Sequence, residues 1–156
     1  MQPQAVAPHE VAEQVVYEQR RVLEQRGIRC DLDPTMPPVM IHPARLKQIL
    51  TNLIRNAARH GCAIEHPHIV VRTATPPAGE TADRVWLSVA DNGAGIPAAM
   101  REEIFLPGKR LANAHAEGSG MGLAIVKKIV DHYEGRILVD PLAAGTSFVF
   151  SLPRAE

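Results

Sequence analysis

Three separated fragments of the chain carry residue types that can hold phosphate, a metal ion or a flat polar ligand. They span residues 52–60, 91–97 and 118–123. Amides and carboxylates supply oxygen atoms, and glycines let the backbone come close to a ligand. In this order, along so short a chain, the three fragments predict a nucleotide-binding pocket.

The first fragment places polar side chains at helical spacing. Asn52 and Asn56 are four residues apart, and Arg59 and His60 follow three and four residues after Asn56, so the spacing predicts one stripe along a helix. Amide oxygens can ligate Mg2+, and an arginine can neutralise phosphate charge. The stripe is a candidate face for a metal-bound triphosphate. Taken alone, it is also consistent with the solvated face of an amphipathic helix.

The second fragment is an acidic turn, in which Asp91 follows a predicted strand and precedes Gly93 and Gly95. The glycines allow positive φ, and the carboxylate can accept a hydrogen bond from an exocyclic amine such as adenine N6. Taken alone, this fragment could be a plain β-turn.

The third fragment, which runs from Gly118 to Leu123, leads into a predicted helix whose N-terminal N–H groups favour phosphate. It could also be a plain helix entry. A dinucleotide fingerprint would need a glycine where this chain has Leu123, and the P-loop pattern is absent. The two commonest nucleotide-binding folds are therefore poor fits.

Hydrophobic periodicity and turn residues predict the elements that position these fragments. Helices are predicted over 10–26, 43–61, 97–104 and 121–133, and strands over 28–32, 68–74, 85–90, 136–140 and 146–152. Residues 105–120, rich in glycine and without periodicity, are predicted to form a mobile lid. We find no internal repeat and no stretch apolar enough to cross a membrane.

The bulk composition fits one domain over residues 1–156, of which 1–8 are expected to be disordered or a remnant. Seventeen basic residues balance seventeen acidic ones, so the net charge does not favour nucleic acid or a membrane surface as a partner. Cys30 and Cys62 lack metal-ligand spacing, which favours reduced thiols in the cytoplasm.

These fragments resemble the sequence boxes of the catalytic ATP-binding domain of sensor histidine kinases, within the GHKL superfamily that also includes gyrase and MutL. Residues 45–61 resemble the N box, 91–97 the G1 box, 102–105 the F box, 118–123 the G2 box and 145–148 the last glycine box. Residues 104–137 are especially similar to PhoQ-like kinases with a short lid. The resemblance implies an α+β fold, the two-layer α/β sandwich called the Bergerat fold. In it, a mixed and mostly antiparallel sheet of about five strands packs on three helices, and an ATP lid covers the site.

The resemblance also implies ATP and Mg2+ as ligands. Asn56, with Asn52 beside it, would hold Mg2+, Arg59 and the lid residues Lys109 or Arg110 would contact the phosphates, and Asp91 would read adenine. The implied catalytic residues are Asn56, Arg59 and Arg110. The other nucleotide-binding residues would be His60, Gly93, Gly95, Ile96, Gly118, Ser119, Gly120, Met121, Gly122, Leu123 and Thr146. The family usually has an aspartate where this chain has His42, which puts the cap of the N-box helix in question.

The resemblance further implies the type of reaction. Hydrolysing relatives have a glutamate one helical turn before the metal asparagine, where this chain has Asn52, which cannot act as a general base. We therefore expect transfer of the γ-phosphate to a histidine rather than to water. His9 precedes Glu10 but lacks the motif that follows a phosphoacceptor, so it is expected to be a surface residue.

The expected partners are a phosphoacceptor histidine hairpin, in the same or a partner kinase, and a response regulator downstream. Neither nucleic acid nor direct membrane contact is expected, and the domain is expected to be the cytoplasmic part of a larger bacterial sensor. Two alternatives stay open: an ATP-sensing module without catalysis, and an anti-sigma-type serine kinase of the same superfamily.

Overall fold

The computed structural model describes residues 2–61, 65–80, 83–107, 122–140 and 144–155. The helices in these ranges are α1 (Pro8–Glu18), α2 (Arg20–Gln25), α3 (Pro43–Asn56) and α4 (Gly122–His132), and a π-helix, Ala57–Gly61, continues α3. The strands there are β1 (Gln4–Val6), β2 (Arg29–Leu32), β3 (Val39–Ile41), β4 (His68–Thr73), β5 (Arg84–Asp91), β6 (Ile137–Val139) and β7 (Ser147–Pro153). No helix among the described residues is both long and apolar enough to span a membrane.

Five strands form the main sheet in the order β2-β4-β5-β7-β6. β2 runs parallel to β4, and the other neighbours are antiparallel. Alternate residues of the two central strands enter the core, among them Leu87 and Val89 of β5 and Phe148 and Phe150 of β7. This arrangement confirms the predicted mixed, mostly antiparallel sheet of five strands, with α1, α3 and α4 as its main helices.

α3 is the central helix of the site and packs against both α1 and α4. Its buried residues recur at the spacing of one helical face, as predicted: Leu46, Ile49, Leu50, Leu53 and Ile54. Each is fully buried, which stabilises the fold by about 1.5–3 kcal/mol per side chain relative to exposure. Because the core anchors this face, the polar residues between these positions have fixed directions.

The start of α3 is capped despite the departure noted at His42. The ring Nδ1 of His42 accepts a hydrogen bond from the N–H of Ala44 at 3.2 Å, and Pro43 occupies the first turn, where no N–H is needed. The N–H of His42 donates to the hydroxyl of Tyr133, beyond α4, at 3.1 Å. A ring nitrogen therefore replaces the usual carboxylate, and the start of α3 is tied to the end of α4.

The N-terminal region differs from the sequence prediction in two ways. The predicted helix over 10–26 is two helices, because the chain leaves helical geometry at Gln19, where φ is −95° and ψ is 7°. Residues 1–8 were expected to be disordered, yet β1 pairs antiparallel with β3 and buries Val6, and α1 already begins at Pro8. Three-residue strands that pair at long range leave no local pattern, so both β1 and β3 were missed.

The segment after the acidic turn also differs from its prediction. Instead of one helix over 97–104, it forms two single 3-10 turns, Ala98–Met100 and Glu103–Phe105. Phe105, assigned from the sequence to the lid, is buried, and its ring meets Phe148 edge to face at 6.0 Å. The first lid residue is therefore part of the core. Positions 108–120 of the predicted lid lie outside the described residues.

Candidate functional site

Asp91, the last residue of β5, is only 9% exposed. Its Oδ1 accepts hydrogen bonds from the N–H of Gly93 at 2.9 Å and of Thr146 at 3.2 Å. Its own N–H donates to the Thr146 carbonyl at 2.8 Å. Burial raises the pKa of Asp91, while the two N–H donors act in the opposite direction. Among the described residues nothing donates to Oδ2, so this oriented carboxylate keeps one oxygen for a ligand.

Two glycines bring the acidic turn against the start of β7. Gly95 has a φ of +85°, which favours glycine, and a Cβ there would lie 3.2 Å from the Gly145 carbonyl oxygen. A Cβ at Gly145 would overlap the Asp91 carbonyl oxygen. Positive φ, which the glycines of this turn allow, occurs at Gly95 but not at Gly93. The turn and the Gly145 segment therefore form one close-packed unit.

Asn92 is a positioning residue that the sequence analysis did not assign. Its Oδ1 accepts from the N–H of His68 at 3.0 Å, and its Nδ2 donates to the carbonyl of His66 at 2.8 Å. These bonds tie the turn after β5 to the start of β4. An Asn-Gly pair predicts a turn, but the residue that its side chain will reach, 24 positions away, has no local signal.

Asn52 and Asn56 lie one turn apart on α3, both half-buried, as the spacing predicts. After Asn56 the helix widens into the Ala57–Gly61 π-helix, so α-helical spacing does not extend to Arg59. The predicted stripe is seen at Asn52 and Asn56, and for the side chains of Arg59 and His60 it stays a prediction. The π-helix packs against β5, the strand that carries Asp91.

The start of α4 completes the described part of the site. A Cβ at Gly122 would lie 3.5 Å from Oδ1 of Asn52, so the first residue of α4 faces the asparagine side of α3. Leu123 follows, partly buried against the core. All three fragments that the sequence singled out are thus neighbours where they are described, because α4 meets α3 and the π-helix meets β5.

The remaining predicted residues fall into three groups. Thr146 lies in the site through its backbone, and Ile96 is buried in the hydrophobic core. The backbone of His60 belongs to the π-helix. Lys109, Arg110, Gly118, Ser119, Gly120 and Met121 lie outside the described residues.

His9, expected to be a surface residue, lies on α1 with a partly exposed side chain. Its Nδ1 is 3.2 Å from the carbonyl oxygen of Asp33, and its Nε2 is 3.3 Å from Oε1 of Glu13. Both ring nitrogens therefore already have partners, which fits a residue that fixes the surface of α1.

Comparisons with known proteins agree with this geometry. The family described as histidine kinase-, DNA gyrase B-, and HSP90-like ATPase matches residues 41–156. The C4-dicarboxylate transport sensor protein DctB of Rhizobium meliloti is 40% identical over 129 residues, which are 83% of this chain but only 20% of that protein. The chain thus spans a fifth of the length of this relative.

Solved structures of similar shape cover nearly the whole chain. The catalytic domain of histidine kinase ThkA has a TM-score of 0.80 and 25% identity, covering 99% of this chain and 97% of that one. ThkA in complex with response regulator protein TrrA has a TM-score of 0.76 and 24% identity, covering 98% of this chain and 42% of that one. The chain therefore belongs to the histidine kinase-, DNA gyrase B- and HSP90-like ATPase family, and within it has the fold of a histidine kinase catalytic domain.

Proposed function

We propose that this chain is the catalytic domain of a sensor histidine kinase, which binds ATP with Mg2+ and donates the γ-phosphate to a histidine of a separate helical hairpin. The observation that carries the proposal is the buried Asp91 carboxylate, held through one oxygen by Gly93 and Thr146. Such a carboxylate can accept from the exocyclic amine of adenine. A base bound there would direct its phosphates toward α3 and the start of α4.

The donor set on α3 fits a magnesium-bound triphosphate. Asn52 and Asn56 offer amide oxygens from adjacent turns, and Mg2+ prefers oxygen ligands together with water and phosphate. We assign Asn56, with Asn52 beside it, to the metal, and Arg59 to the phosphates. When bound, Mg2+ would neutralise charge on the β- and γ-phosphates. Lys109, Arg110, His60 and the residues from Gly118 to Leu123 complete the proposed nucleotide site.

Asn52 also supports transfer to a histidine rather than to water. An amide cannot accept the proton of an attacking water as a carboxylate does, so hydrolysis at this face of α3 is expected to be slow. The catalytic contribution of the domain is then to position the phosphates and neutralise their charge, while another domain supplies the nucleophile.

The biological setting follows from the same proposal. The phosphoacceptor hairpin belongs to the same or a partner kinase, and a response regulator receives the phosphoryl group. The solved ThkA complex with TrrA supports the second partner by analogy of fold. We place the domain in the cytoplasm, as part of a larger sensor, because its substrate is ATP.

A phosphotransfer assay tests the proposal directly. The domain is mixed with the histidine hairpin of a matching kinase and γ-labelled ATP, and the label on the hairpin is tested for acid and alkali stability. Acid-labile, alkali-stable label is expected, as for phosphohistidine. Nucleotide binding without transfer would instead indicate an ATP-sensing module, and acid-stable label on a serine partner would indicate a serine kinase.

A further inference from the structure

Arg26 lies far in sequence from the three fragments, at the C-terminal cap of α2. Its Nη1 nevertheless reaches the end of α3, where it donates to the carbonyl oxygen of Ala58 at 3.0 Å and to that of Arg59 at 3.2 Å. One guanidinium nitrogen thus bridges two successive carbonyls of the π-helix. These bonds span 32 and 33 residues of sequence.

The end of this helix needs such a partner. The last carbonyls of a helix have no N–H donor within the helix and carry partial negative charge, so a cation there is favourable. Hydrogen bonds from a charged donor are about twice as strong as neutral ones. The turn is also a π-helix, a rare geometry that occurs mostly in short segments and frequently at functional sites. Arg26 supplies a charge-assisted contact at the turn that carries Arg59.

We propose that Arg26 is a positioning residue, which holds the Ala57–Gly61 turn so that the Arg59 side chain is directed at the phosphates of the bound nucleotide. Both of these hydrogen bonds go to backbone carbonyls of the turn, so Arg26 acts through Arg59 rather than on the ligand. The inference rests on the proposed function for its effect on nucleotide binding. Its structural part, that Arg26 holds the turn, stands independently.

Amide hydrogen exchange tests the structural part without any ligand. Arg26→Gln removes the charge and is compared with Arg21→Gln, which makes the same change at an exposed position of α2. Exchange within Ala57–Gly61 is expected to be about tenfold faster in Arg26→Gln only, with β5 and β7 unchanged. Equal exchange of this turn in both variants and the wild type would overturn the proposal.

A ligand series tests the functional part. Affinity for ATP is measured by calorimetry and for adenosine by chemical-shift titration, because adenosine lacks the phosphates that Arg59 would contact. Arg26→Gln is expected to bind ATP about fivefold more weakly and adenosine unchanged. Arg26→Lys keeps the charge but loses the guanidinium geometry, so it should restore part of the ATP affinity. Arg21→Gln should match the wild type.

The outcomes distinguish the positioning role of Arg26 from the proposed nucleotide-binding function. Equal weakening of ATP and adenosine by Arg26→Gln would mean a general structural role and would overturn the positioning role, as would no weakening of either. If the wild-type chain bound neither ligand, the proposed function would fail, while the exchange experiment would still decide whether Arg26 holds the turn.

Discussion

The two ends of the candidate site are built differently. At the sheet end, Asp91 is buried and hydrogen-bonded within a framework of strands, and Gly145 leaves no room for a side chain. At the helix end, Asn52, Asn56 and Arg59 are half-buried, and a π-helix continues α3. The sheet end is held by strand pairing and backbone hydrogen bonds, whereas at the helix end the π-helix turn that carries Arg59 is held by the side chain of Arg26.

This contrast matches what each end is proposed to bind. A flat base is recognised by shape and one or two hydrogen bonds, and the Asp91 carboxylate, already held by two backbone N–H groups, can supply one of them. A charged phosphate chain with its metal needs ligands that can adjust as charge moves during transfer. We therefore expect changes at the sheet end to affect both stability and binding, and changes at the helix end to affect binding alone.

Gly145→Ala should have the largest effect on both stability and ATP affinity, because its Cβ would overlap the Asp91 carbonyl at the sheet end of the site. Overpacking of this kind costs about 1–3 kcal/mol of the free energy of unfolding, and nucleotide affinity should fall with it. Gly135→Ala is the matched control, since its Cβ would overlap the Ser151 carbonyl near the other end of β7. It should lose similar stability in urea unfolding but keep the ATP affinity of its folded fraction. Equal loss of affinity in both variants would refute a special role for Gly145.

Asp91→Ala should weaken ATP binding about tenfold to a hundredfold, because it removes a hydrogen bond to a charged acceptor. Asp31→Ala is a suitable control, since that carboxylate is also on the sheet but lies at the surface, paired with His68 and Arg29. Calorimetry should show the loss in the first variant only. An unchanged ATP titration in Asp91→Ala would remove the adenine assignment.

Asn56→Ala should weaken ATP binding about tenfold when Mg2+ is present, which corresponds to the loss of about one ligand interaction. Without Mg2+, the variant and the wild type should differ little, and their urea unfolding curves should coincide because Asn56 is outside the buried face of α3. Titrations with and without a chelator measure this difference. The metal assignment would be contradicted by the same loss of affinity in both conditions.

Lowering the pH should reduce the ATP affinity gradually, through protonation of Asp91, and by less than the substitutions above. Burial raises its pKa, so its protonation begins at a higher pH than for an ordinary aspartate, and the protonated form is a poorer acceptor for the adenine amine. ATP affinity should fall as the pH is lowered through this raised pKa. The pKa of Asp91 is higher in the folded state than in the unfolded state, so the stability that Asp91 contributes is lost as the pH rises through the folded pKa. The free energy of unfolding therefore changes with pH in the direction opposite to the ATP affinity.

Asp91→Asn removes this titration while it keeps the size of the side chain. Its ATP affinity should be lower at neutral pH and should lack the acid-dependent component that the wild type shows. Parallel pH profiles for the wild type and the variant would mean that another group causes the change.

Much of the fold was predictable because it depends on local spacing. The buried face of α3 and the turn at Gly95 follow from patterns within a few residues, whereas the mostly antiparallel sheet was implied by the resemblance to the kinase family. The two-way split of the predicted N-terminal helix at Gln19 was not predictable, since its residues continue a helical pattern across the break.

The residue types of the site could be identified from the sequence, because amides, a carboxylate and glycines can bind only a few kinds of ligand group. Their arrangement depended on contacts between distant segments, such as Asn92 with His68 and Arg26 with Ala58. Local spacing carries no information about such partners, because the direction and separation of two elements are set by the packing of the whole core. The sequence therefore identified which groups could hold a nucleotide, and the packed fold determined which of them are held rigidly and by what.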